Sequence, residues 1–112
     1  MVKNFDFKYI ASDEVEKISD LASHHLFNPG QVIFYAGHYP YGVFILIDGE
    51  VEVEISKKKT TKIHPTAVLG VESLSNLKSY PVTVKALTKC KLDFLSKSSY
   101  EKLVMDKKIG KF

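Results

Sequence analysis

A chain of 112 residues, 45% of them hydrophobic, has the length of one compact domain that buries roughly two-thirds of its unfolded surface, and a second domain does not fit. The net charge of +3, from 16 basic against 13 acidic residues dispersed apart from Lys57-Lys58-Lys59, is too mild a bias to imply nucleic-acid binding. The one cysteine, Cys90, excludes an internal disulfide, a cysteine-only metal site and an iron-sulfur centre, and no apolar run has signal-peptide or membrane-span length, so the expected protein is soluble and cytoplasmic.

Ser12 followed by Asp13 and Glu14 predicts a helix start, a capping hydroxyl with two acids where the helix dipole favours negative charge. Val15, Ile18, Leu21 and Ala22 recur at helical spacing as one apolar stripe, and the helix is expected to end near His24-His25, before the turn Asn28-Pro29-Gly30. From Phe27 to Ile55, two glycine turns punctuate hydrophobic strand runs. Asp48-Gly49 lies between the apolar run Val43–Ile47 and the alternating run Glu50–Ile55, which predicts a tight hairpin.

Lys57–Thr61 is polar and reads as a hairpin tip, with Ile63 opening the next short strand. Val82, Val84 and Ala86 alternate with Thr83 and Lys85, and Leu92 and Phe94 repeat the pattern around a solvent-facing Asp93. Ser98 and Glu101 fit a capping box for a second helix from Ser99 to about Met105, with Leu103 and Val104 on its buried face. Helix, about seven or eight strands, then helix gives a mainly β fold: a double-stranded β-helix, jelly-roll-like, with flanking N- and C-terminal helices. It is expected to span 1–112 as one domain.

Pro29-Gly30, Ile33, Gly37, Ile45, Gly49, Val51 and Val53 stand at the places of the pattern "PG-x-x-I-x-x-x-G" followed by "I-x-x-x-G-x-V-x-V". In this the chain, over about residues 8–105, resembles the cyclic nucleotide-binding domain of the catabolite activator and fumarate-nitrate regulator superfamily. The resemblance implies a phosphate-binding cassette within Val68–Ala86: a Gly-Glu turn, one short helical turn, then an arginine before the next strand. Unpaired N–H groups of a short helix and a cation suit a phosphate, and an acid suits a ribose hydroxyl. The implied ligand-binding residues are Gly70, Val71, Glu72, Ser73, Leu74, Tyr80, Pro81, Val82 and Thr83.

The arginine position falls on Tyr80, whose neutral phenol offers one donor where a guanidinium offers a bidentate fork; Lys78 is the nearest cation in the chain. "Gly-x-Glu-Ser-Leu" from Gly70 and "Tyr-Pro-Val-Thr-Val-x-Ala-Leu" from Tyr80 look more like the fumarate-nitrate regulator branch, whose members often keep the roll without that arginine. A cyclic nucleotide is thus the ligand the family implies and the one Tyr80 argues against. No resident cofactor is expected.

Each of these residues has a plainer reading. Gly70 serves a positive-φ turn or a phosphate contact, Glu72 faces solvent or caps the short helix or meets ribose, and Tyr80 hydrogen-bonds a ligand or plugs the pocket. Lys78 reads as a solvated loop lysine, Cys90 as a small buried hydrophobe in preference to a redox sensor, and Tyr35, Tyr39, Tyr41 and Phe44 as core and rim packing, with base stacking at a pocket mouth as the alternative. His24-His25 closes a helix, where positive charge is favoured, and His38 and His64 lack the His-x-His spacing of the cupin enzymes. No nucleophile-base arrangement, P-loop, GxSxG or HExxH motif is present, so no enzymatic activity is expected.

The function expected is a non-enzymatic effector-binding sensor domain, part of or derived from a transcription regulator. The alternative is a protein-interaction or dimerisation module with a degenerate nucleotide pocket. A small anionic ligand and a homodimer are the expected partners. The family's dimerising helix would begin near Met105–Phe112, so DNA binding is not expected within this chain, and neither is a membrane.

Overall fold

A computed structural model describes residues 7–57 and 59–106. Lys58, within the expected Lys57–Thr61 tip, lies outside the described residues, as do both ends of the expected domain span. In chain order the elements are β1 (Phe7–Tyr9), α1 (Ser12–Ser19), β2 (Ser23–Phe27), β3 (Val32–Phe34), β4 (Gly42–Asp48), β5 (Val51–Ser56) and β6 (Lys59–Ile63). They continue with β7 (Ala67–Leu69), α2 (Val71–Ser75), β8 (Thr83–Ala86), β9 (Cys90–Ser96) and α3 (Lys97–Met105). The strands form two antiparallel sheets, β1-β7-β4-β9-β2 and β3-β8-β5-β6, with helices on the outer side of the larger one. This is the mainly β, jelly-roll-like fold with flanking helices that the strand and turn pattern predicts.

The seven-residue run of β4 is buried on both faces, and its period of two explains why. Leu46 and the half-buried Phe44 point into the roll, where they meet Val51, Val53, Ile63, Val84 and Leu92 between the sheets. Val43 and Ile45 point the other way, into a second core with Ile18 of α1, Leu95 of β9 and Leu103 of α3. Each fully buried Val, Ile or Leu contributes about 1.5–3 kcal/mol of transfer free energy, so β4 anchors both layers.

The Asp48-Gly49 pair does not make a hairpin, because the neighbours of β4 are β7 and β9, whereas β5 pairs with β6 and β8. The turn is a corner at which the chain leaves one sheet for the other. Gly49 has φ +90°, and a β-carbon there would run into the Lys89 carbonyl oxygen. The corner is clasped to a second turn: the Glu50 amide donates to Thr88 Oγ1 at 3.0 Å, and the Leu87 amide donates to the Glu50 carbonyl at 2.9 Å.

Several expected boundaries move. Ala11, not Ser12, precedes the first helical turn, and α1 ends at Ser19 well before the histidines. Only Ile18 of the stripe is fully buried; Val15 and Ala22 pack partly, and Leu21 is exposed. His24 and His25 instead belong to β2, because β9 offers this segment a full ladder from Ser23↔Phe94 to Phe27↔Cys90. Ile63 closes β6 and does not open a strand, since the β5 ladder continues to Val51↔Ile63 and shortens the polar tip.

Asp93 is buried, not solvent-facing: β2 and the helices cover that side of β9. The second helix starts two residues early, at Lys97, because Ser96 is the cap and its Oγ accepts from the Ser99 amide at 3.2 Å. Tyr35, Tyr39 and Tyr41 are exposed and do not form core packing; Phe44 alone of that group packs inward. Cys90 is buried, with Sγ 3.1 Å from the Glu50 carbonyl, as a small hydrophobe with a weak donor.

Candidate ligand pocket

The segment between β7 and β8 is built around Gly70. Leu69 pairs with both β1 and β4, and the chain must then turn sharply to leave the sheet. Gly70 does this at φ +94°, a conformation that costs an L-residue roughly 1–2 kcal/mol. Its carbonyl accepts the Leu74 amide at 3.0 Å, and α2 follows for five residues. The turn is then closed by the Asn76 amide on the Glu72 carbonyl at 3.0 Å and the Lys78 amide on the Ser73 carbonyl at 2.9 Å.

The short helix divides the expected site residues by direction. Val71 and Leu74 join the core between the sheet and α3, Ser73 is buried, and Glu72 faces solvent. Past Lys78, the chain re-enters the roll at Tyr80. Val82 is buried in the inner core, Pro81 is exposed, and Thr83 is half-buried with its Oγ1 accepting the Ala36 amide at 3.0 Å.

Tyr80 and Gly70 meet directly: a β-carbon on Gly70 would lie 3.1 Å from Tyr80 Cε1. The tyrosine ring is 5% exposed and stacks on Phe34, with centroids 3.8 Å apart and planes 16° apart. Phe34 stacks in turn on Phe44, 6.1 Å away, so an aromatic column leads from the Gly70 turn into the roll. The lack of a side chain at Gly70 therefore serves a close approach as well as a positive φ.

The backbone of Tyr80 is held equally firmly. Its amide donates to the His38 carbonyl at 2.8 Å, and its carbonyl accepts the Gly37 amide at 2.9 Å. Loop 35–41, between β3 and β4, thus lies against the strap 76–82. Phe34, Gly37 and His38 were not singled out for this site in the sequence. Phe34 ends the apolar run of β3, a signal for burial, but nothing local pairs it with a residue 46 positions later.

All sixteen basic residues of the chain are lysines, so no arginine is present anywhere to supply a bidentate phosphate fork. Lys78, the nearest cation in sequence, is exposed. A groove of about 420 Å³ lies elsewhere, between α2 and α3, lined by Leu77, Tyr100, Val104 and Met105 among others. Of the nine expected site residues only Leu74 reaches it.

The histidines are placed apart. His24 Nδ1 is 2.5 Å from Asp93 Oδ1, His64 Nδ1 is 2.9 Å from Glu50 Oε2, and the His38 ring lies 5.4 Å from that of Tyr35. Among the described residues, no three His, Cys, Asp or Glu side chains gather as a metal site would require. No described helix is long and apolar enough to cross a membrane.

No curated protein sequence matches the chain. Solved structures do. One, from work on a cyclic-GMP-dependent signalling pathway that regulates bacterial phytopathogenesis, superposes with a TM-score of 0.79 at 16% identity, over 88% of this chain and 81% of the other. The Thermus thermophilus catabolite activator protein gives 0.75 at 20% identity, over 88% of this chain and 49% of that one. The cAMP-bound PfPKA-R structure gives 0.72 at 26% identity, over 81% of this chain and 32% of that one. The cyclic nucleotide-binding domain family matches residues 24–107, which include both sheets' central strands, the Gly70 turn and the Tyr80 strap, and the chain belongs to that family.

Proposed function

We propose that the chain is a non-enzymatic small-ligand sensor domain of the cyclic nucleotide-binding type, whose effector is received where Gly70–Leu74 and Tyr80–Thr83 converge. The observation that carries this reading is the left-handed Gly70 opening α2 directly beneath Tyr80. The glycine turn and short helix of a phosphate cassette are kept, and the cation is replaced by a neutral ring. Relatives described with cyclic GMP signalling, with bound cAMP and as a catabolite activator support a cyclic nucleotide or similarly shaped anion as the ligand class. The likeness to a catabolite activator protein supports a role in a transcription regulator; a homodimer and a cytoplasmic location are part of the proposal and rest on the family resemblance alone.

Loss of one charge-assisted contact costs about 1.5–3 kcal/mol, or roughly 10- to 150-fold in affinity. The domain should thus bind a cyclic phosphate weakly and favour an effector that tolerates an aromatic wall. Thermal melts with cyclic AMP, cyclic GMP and other nucleotides test this. A true ligand at 100 times its Kd adds about 2.7 kcal/mol, or roughly 10 °C in Tm for a domain of this size. Flat melts across nucleotides and a cell extract would end the sensor reading.

The second reading is a protein-interaction or dimerisation module with a closed pocket. It is favoured by one observation, the burial of Tyr80 against Phe34. A stable dimer by sedimentation together with flat melts would select it.

A further inference from the structure

We infer that Tyr80 is the plug of a two-part lid: the strap 76–82 and loop 35–41 open together, as one body, and expose the face of Phe34. The inference concerns the unliganded chain and does not depend on which effector, if any, the domain accepts.

Three observations point to a unit that is less stable than the sheets around it. First, the strap and the loop lie outside both ladders, and two backbone hydrogen bonds between Tyr80 and the Gly37-His38 segment bridge them. Second, most of their surface is wet. Asn76, Leu77 and Lys78 are exposed on one side, and Tyr35, Tyr39 and Tyr41 on the other. Third, Leu77 holds φ +54°, an unfavoured conformation for a non-glycine residue, at the start of the strap.

What closes the unit is the Tyr80 ring. With Val82 beside it in the inner core, it enters the roll from the strap and ends its path on Phe34 and Gly70. Segments with few buried apolar contacts and exposed backbone hydrogen bonds open well below the cost of global unfolding. The Gly37 amide on the Tyr80 carbonyl and the Tyr80 amide on the His38 carbonyl bridge the same two segments, so a joint opening of strap and loop releases both. Opening would uncover an aromatic face next to a short helix, a surface suited to a planar ring.

Native-state hydrogen exchange, followed residue by residue by NMR in low guanidinium, tests the lid. The amides of Gly37 and Tyr80 should share one opening equilibrium, with a denaturant dependence above zero but smaller than that of global unfolding, and at least about tenfold more populated than the opening of Ile45 in β4 and Val53 in β5. A Phe34→Leu variant should raise opening at Gly37 and Tyr80 a further 2- to 13-fold or so relative to Ile45, the worth of an aromatic pair beyond its burial. Exchange of Gly37 and Tyr80 on the same isotherm as Ile45, unequal opening free energies at the two amides after correction for their intrinsic rates, or no selective effect of Phe34→Leu would overturn the inference. A silent nucleotide screen beside a positive exchange result would end the sensor reading and leave the lid standing; ligand binding with no sub-global opening would do the reverse.

Discussion

His24 and Asp93 face each other across the β2–β9 ladder, with Nδ1 and Oδ1 2.5 Å apart. The acid side chain is 2% exposed and the histidine 53%, so a surface group covers a buried one at the edge of the five-stranded sheet. The contact links the last strand of the ladder to the layer that holds Ile45, the Cα partner of Asp93 on its other side.

Removing His24 should leave the buried carboxyl short of a hydrogen bond. His24→Ala should lower stability by about 1–2 kcal/mol, the lower part of the usual range because water can reach the site in its place. Replacing both partners by apolar residues, His24→Leu with Asp93→Leu, should be less harmful than His24→Ala alone. Guanidinium unfolding of the three proteins measures this, and a double variant weaker than the single would remove the pair from the account.

The register of the α3 cap separates two hydroxyls two residues apart. Ser96 Oγ accepts the Ser99 amide, so Ser96→Ala should cost about 1 kcal/mol. Ser98→Ala should change stability by less than about 0.5 kcal/mol. Thermal melts of the two variants distinguish the observed cap from the Ser98–Glu101 box.

How much of this could be read in the sequence depends on the range of the forces involved. The fold was legible because alternation and glycine turns are local: Val82, Val84 and Ala86 are buried as their period predicts, and Gly37, Gly49 and Gly70 all hold positive φ. The partner of each strand was not legible. Asp48-Gly49 makes a hairpin or a corner with equal local ease, and only the competition of β7 and β9 for the edges of β4 decides it. Histidines near a helix end read as caps until β9 offers them a ladder. At the candidate site, the motif alone aligns Tyr80 with the family's arginine, and its stacking on Phe34 is a tertiary fact that no spacing encodes.

Gly70 carries two separable constraints. Gly70→Ala should cost about 1–2 kcal/mol from φ +94° alone, plus a smaller amount for the methyl 3.1 Å from Tyr80 Cε1. In a Tyr80→Ala background the second part should vanish and the first persist. Denaturant unfolding of this double-mutant cycle reads the coupling, and full additivity would mean that the two residues do not touch.

Thr83 holds the loop end of the lid through the Ala36 amide, 3.0 Å away. Thr83→Val keeps the side-chain shape and removes the acceptor, so it should cost about 1 kcal/mol. It should also speed exchange of the Ala36 amide more than that of Val84 in the adjacent strand. Equal acceleration at both would show that the hydroxyl acts on the sheet and not on the loop.

We propose that Tyr80 occupies the place where a cyclic phosphate would need a cation. Titration calorimetry of the wild-type chain and the Tyr80→Arg variant with cyclic AMP and cyclic GMP tests it most directly. The account predicts at least about a tenfold gain in affinity for one of the two nucleotides on introducing the guanidinium, with the apolar core otherwise intact. Tight binding by the wild type that Tyr80→Arg weakens, or no gain in a variant that folds normally, would contradict it.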